Sequence, residues 1–95
     1  MTILVLSSAP SKQVYEELAK TINTSSDMPD GLILHAATES EDGSVQVVDV
    51  WESREEADQY ERERVAPAVA LVELSNGPIQ LPPAKYVEPF DVILP

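Results

Sequence analysis

Residues Leu32–Ser53 read LILHAATESEDGSVQVVDVWES. Two apolar, β-branched flanks, Leu32–Glu39 and Ser44–Glu52, enclose the turn formers Glu41-Asp42-Gly43. Flanks of this kind around a short glycine-bearing turn predict a β-hairpin, with Gly43 in the left-handed position. A three-residue loop pairs Ser40 with Ser44. Counting back places His35 opposite Asp49 and Ile33 opposite Trp51. One face then carries Ile33, His35, Ala37, Val47, Asp49 and Trp51, and the other Leu32, Leu34, Ala36, Val48 and Val50. A loop of two or four residues would put His35 opposite Val50 or Val48 instead, because each one-residue slip reverses the faces.

The rest of the chain builds outward from this hairpin. Thr2–Leu6 is a short, continuous apolar run that suits a strand covered on both faces. Ser7–Pro10 reads as a turn. Ser11 can cap a helix reaching about Asn23, with Val14, Leu18 and Ile22 on one face and Tyr15 and Ala19 beside them. Thr24–Gly31 is a loop dense in turn formers. Ser53 and Glu56 form a capping box that opens a second helix, with Ala57, Tyr60 and Arg64 or Val65 at helical spacing. Pro67 predicts a break or kink near Ala66, followed by a short continuation. The acidic face from Glu55 to Glu63 reads as solvated, with i,i+4 pairing to Arg62 and Arg64. After an irregular, proline-rich connector, Lys85–Leu94 is a last strand. Pro89 interrupts it and marks it as an edge.

The order β-α-β-β-α-β is that of an α+β, ferredoxin-like sandwich. It forms one domain over residues 1–95: a four-stranded antiparallel sheet in spatial order 4-1-3-2 with two helices on one face. Both faces of these strands are apolar, whereas a sheet with one wet face alternates apolar and polar. The face away from the helices therefore calls for a cover, and a two-fold homodimer packed sheet to sheet is expected.

Composition limits the functions open to the chain. Of 95 residues, 43% are hydrophobic, as in a globular domain, and the net charge of −11 disfavours nucleic acid and anionic membranes as partners. There is no cysteine, so thiol chemistry is absent. One histidine makes a zinc site unsupported, and three glycines build no phosphate cradle. Ser53 is committed to capping, which argues against a serine triad. The opening M-T-I-L-V-L has no charged leader and is too short for a signal peptide, and no run is long enough to span a membrane. A cytoplasmic protein is expected, without metal or cofactor.

Within the hairpin, Asp49 is the odd residue, a carboxylate among valines. If it faces His35, it raises the imidazole pKa and fixes its tautomer, poising it for acid–base work. His35 and Asp49 are thus the candidate catalytic pair. Trp51 would wall the same pocket, and Tyr60 and Tyr15 could close over it as substrate-binding residues. Plainer readings exist for each. His35 and Asp49 can be a structural pair, Trp51 a core or interface anchor, and the tyrosines ordinary amphipathic-helix residues.

The segments G-L-I-L-H-A-A (31–37), V-V-D-V-W-E-S (47–53), W-E-S-R-E-E-A (51–57) and R-V-A-P-A (64–68) resemble the antibiotic-biosynthesis-monooxygenase-like branch of the dimeric α/β-barrel superfamily. The resemblance spans about residues 2–72. It implies a homodimer whose two sheets form a barrel, with a pocket in each protomer between sheet and helices. Some members of the superfamily oxidise aromatic polyketides with O2 and no cofactor; others cyclise or isomerise small molecules, or degrade haem. Trp51 matches the pocket tryptophan of the oxygenases. Two departures stand out. Thr2–Ser8 lacks the asparagine those oxygenases place on their first strand, and Arg54–Leu74 lacks a haem-binding histidine. The resemblance thus implies a small-molecule enzyme, a monooxygenase or a cyclase or isomerase. The alternative is a non-catalytic homodimer that binds a ligand or plays a structural role. A cavity of at least about 300 Å³ touching His35 favours the enzyme.

Overall fold

The structure, a computed structural model, describes residues 2–93. The chain runs β1 (Ile3–Ala9), α1 (Lys12–Ile22), β2 (Leu32–Glu39), β3 (Val45–Trp51), α2 (Arg54–Tyr60), a π-helical segment (Glu61–Val65), α3 (Ala66–Asn76) and β4 (Lys85–Val87). The strands form one antiparallel sheet in the order β2-β3-β1-β4, as the sequence predicts. No helix among the described residues is long and apolar enough to cross a membrane.

Local chemistry accounts for the element ends. Ser11 adopts extended backbone and accepts the Val14 N–H, opening α1, and Asn23 closes it in the left-handed region at φ 62°. Asparagine tolerates that conformation better than most side chains. Ser53 accepts the Glu56 N–H at 3.2 Å and so caps α2 as expected, while the Glu56 carboxylate reaches back to accept from the Ser53 hydroxyl at 2.9 Å. In the hairpin, Gly43 sits at φ 87°, and the Ser40 N–H donates to the Ser44 carbonyl at 2.7 Å. The three-residue loop therefore holds, and His35 lies opposite Asp49.

Three expectations need correction, and a fourth gains detail. Trp51 pairs with Leu32, not Ile33, because the register shifts between Leu32 and Leu34. That irregularity brings Leu32 to the helix side, where it packs on the buried cluster around Trp51. Ser7–Ala9 do not turn away but prolong β1 alongside Val47, Gln46 and Val45. The last strand covers only Lys85–Val87, on the sheet edge and short of Pro89; Leu94 lies outside the described residues. The regular α-helix is interrupted just before Pro67, as expected, but the chain does not leave the helical path there. The preceding turn widens instead, and the Ala66 N–H donates to the Glu61 carbonyl five residues back. A wider turn relieves the clash between a proline ring and the carbonyl four residues earlier, so the helix passes through Pro67 into α3.

The helix side of the sheet is not one continuous core. Ile3, Val5, Trp51 and Ala57 form one buried cluster, joined by Leu32, Tyr60 and Tyr86. Ala9, Val45 and Val47 form a second, joined by Tyr15 and Leu81. On β3, Asp49 lies between Val47 and Trp51 on that same face, opposite Val5 of β1 and His35 of β2. The polar pair thus sits in the gap between the two apolar clusters.

Candidate functional site

The gap is a cavity of about 760 Å³. Its sheet wall includes Val5, Ser7, His35, Val47, Asp49 and Trp51, and its helical wall Tyr15, Leu18, Ile22, Ala57, Tyr60 and Val69. The connector before β4 closes one side with Leu81, Pro82 and Pro83, and the loop after α1 adds Thr24 and Met28.

A chain of hydrogen bonds lies along this wall. His35 Nδ1 stands 2.5 Å from Asp49 Oδ1, and His35 Nε2 stands 2.7 Å from the Tyr15 hydroxyl. A carboxylate can only accept, so the neutral imidazole carries its proton on Nδ1. Nε2 then accepts the Tyr15 O–H. The Tyr15 and His35 rings lie within 10° of parallel, which keeps the phenol directed at the imidazole edge. Asp49 holds the His35 pKa above the ordinary imidazole value through their hydrogen bond, against the opposing pull of burial. Burial, and then the negative charge of Asp49, push the Tyr15 phenol upward.

The second polar spot is Tyr60. Its hydroxyl is 2.6 Å from Thr24 Oγ1, and its ring packs 5.0 Å from Trp51 at 48°. Burial raises the Tyr60 pKa, and the Thr24 hydrogen bond works against that rise. Trp51 is 1% exposed, so most of its indole is packed into the core and it backs the cavity from below Tyr60. Arg64 does not pair with helix acids as expected from spacing. From the π-helical segment it donates to the carbonyls of Ile22 and Asp27, both at 2.7 Å, and so ties down the loop that carries Thr24.

All five candidate residues therefore line one cavity: His35, Asp49 and Tyr15 as one hydrogen-bonded chain, and Tyr60 and Trp51 as an aromatic pair. Sequence reasoning missed Thr24, Leu81 and the prolines of the connector. Their place depends on loops with no periodic pattern to read. It also missed that Tyr15 bonds His35, since nothing local links a helix residue to a strand residue 20 positions away. Among the described residues no lysine or arginine lines the cavity, while Asp49 and Glu61 do. Burial raises the Glu61 pKa.

The α+β, ferredoxin-like fold is shared by several solved structures. The chain is similar to the structure of Rv0793 from Mycobacterium tuberculosis, with a TM-score of 0.69 and 15% identity over 97% of this chain and 98% of that one. It is similar to a Chloroflexus aurantiacus structure named "putative Antibiotic biosynthesis monooxygenase", with a TM-score of 0.66 and 12% identity over 98% and 97%. A protein of unknown function from Nitrosomonas europaea, NE2512, has a TM-score of 0.70 and 14% identity over 99% and 94%. No protein-family model matches the chain, and no curated protein does. At these identities the likeness establishes the fold, and activity has to be argued from the site.

Proposed function

We propose that this chain is a small-molecule enzyme that removes a proton from a weakly acidic hydroxyl, a phenol or enol, on a flat aromatic or polyketide-like substrate. His35 is the base that ends with the proton, and Asp49 orients it and stabilises the imidazolium. Tyr60, backed by Trp51, and Tyr15 form the walls that hold the substrate. The resulting anion then reacts with molecular oxygen or closes a ring within itself, without a cofactor.

The observation that carries this reading is the Tyr15–His35–Asp49 chain on the wall of a 760 Å³ cavity. That volume lies well within the range of small-molecule sites, and it exceeds what a packed structural pair needs. The lack of a lysine or arginine among the described lining residues supports a neutral substrate over a carboxylate or phosphate, which would meet Asp49 and Glu61 without a counter-charge. Solved structures bearing the monooxygenase name share the fold, which agrees with this class of chemistry. The same reading takes two copies packed through the open sheet face.

The test is a panel of hydroxylated aromatics incubated in air, followed by oxygen uptake and product chromatography. At least one member should be consumed, and His35→Ala should slow its turnover by about 10²-fold or more, the usual loss on removing a general base. Turnover unaffected by His35→Ala would remove the assignment.

A further inference from the structure

Both ring nitrogens of His35 are already engaged, Nδ1 by Asp49 and Nε2 by Tyr15. The imidazole therefore offers no free lone pair to a molecule in the cavity. The Tyr15 oxygen does: having directed its proton at Nε2, it keeps its lone pairs, and its side chain lines the cavity. We propose that Tyr15 is the catalytic residue that touches the substrate and relays its proton to His35. The inference rests on the reading of His35 as the base and adds the group through which the base is reached.

The step balances without an oxidant. The substrate O–H bond breaks and a new Tyr15 O–H bond forms, while the original Tyr15 O–H bond breaks and an Nε2–H bond forms. What remains is a substrate anion, a neutral tyrosine and an imidazolium held against the Asp49 carboxylate. A free tyrosinate is no part of it. The other acids lining the cavity are Asp49 on β3, Tyr60 on α2, Glu61 on the π-helical segment and Tyr86 on β4. None of them is cationic, so nothing there would stabilise a phenolate on Tyr15. The two proton transfers are therefore coupled, and the charge comes to rest on the imidazole beside Asp49.

The probe is p-nitrophenol, whose phenolate absorbs in the visible, so its ionisation can be read at equilibrium without turnover. Bound to the wild-type protein, it should ionise about tenfold more readily than in solution, the effect of roughly one charge-assisted hydrogen bond. Tyr15→Phe keeps the ring, and should bind the probe and leave its ionisation at the solution value. His35→Gln should do the same. If the probe still ionises in Tyr15→Phe but not in His35→Gln, the relay is overturned and His35 stands as a direct base. If it still ionises in His35→Gln, the reading of His35 as the base falls too. Failure of wild type to bind or ionise the probe removes both. Should Tyr15→Phe fail to fold, nitrogen-15 NMR of the wild type decides. On probe binding, His35 should take on imidazolium shifts while the Tyr15 ring carbons stay those of a neutral phenol. Bound phenolate beside a neutral His35 overturns the relay.

Discussion

At the scale of single residues, the carboxylate among valines is the feature that needs explaining. Asp49 is flanked on its own face by Val47 and Trp51, both buried, yet it faces a cavity rather than a packed core. Its side chain is 14% exposed and that of His35 36%, so the pair is only partly desolvated. A pair this open contributes less than about 1 kcal/mol to stability. Its direction in pH is nonetheless defined. The folded pKa of His35 lies above its unfolded value of about 6.5, so the pair's contribution is complete below that pH. It is lost as the pH rises through the raised folded value. Proton NMR should therefore show His35 titrating above its ordinary value in the wild type and lower in Asp49→Asn. The stability gap between the two should narrow as the pH rises. A His35 midpoint unmoved by Asp49→Asn would refute the coupling.

At the scale of elements, short-range signals read best. The hairpin loop follows from Gly43, the start of α1 from Ser11, and the start of α2 from Ser53 with Glu56. Each is a bond between groups at most four residues apart, so each is visible in the sequence. Ser53→Ala removes the acceptor for the Glu56 N–H and should cost about 1 kcal/mol in denaturant unfolding. An unchanged midpoint would mean that water caps the helix equally well. Gly31 is less obvious from sequence. It sits at φ 87°, and a methyl group there would strike the Glu56 carboxylate, so the loop before β2 passes closely over the capping box. The irregularity falls near Ala66 as Pro67 requires, but its form was not legible, because proline excludes a regular α-turn without choosing between a break, a kink and a widened turn. The choice of a π-helical turn coincides with Arg64 reaching the carbonyls of Ile22 and Asp27, contacts about 40 residues away.

At the scale of the whole molecule, the described residues leave one face of the sheet without cover. Leu34, Val50, Leu4 and Val87 form one row across all four strands, and Ala36, Val48, Leu6 and Lys85 the next. Leu34 is 48% exposed and Leu6 37%, on a chain otherwise rich in acidic residues. Such a patch on a small domain is what a second copy would cover. Sedimentation should find a two-chain species at micromolar concentration. Leu6→Glu should weaken it by about 10²-fold or more, since a lone carboxylate would be buried at the interface, while far-UV dichroism stays unchanged. A monomeric wild type would end the dimer reading.

The sequence alone determined the class of fold and the order of the strands, and it set His35 opposite Asp49 only on the condition of a three-residue hairpin loop, which the structure supplies. Periodicity, capping and turn chemistry act over a few residues, and a hairpin loop counts out a register once its length is fixed. Only the tertiary structure decided that Tyr15 closes the second nitrogen of His35, that Thr24 holds Tyr60 and that the connector at Leu81–Pro83 walls the cavity. Those contacts join segments far apart in the chain. They depend on where helices and loops come to rest over the sheet, and no local preference encodes that.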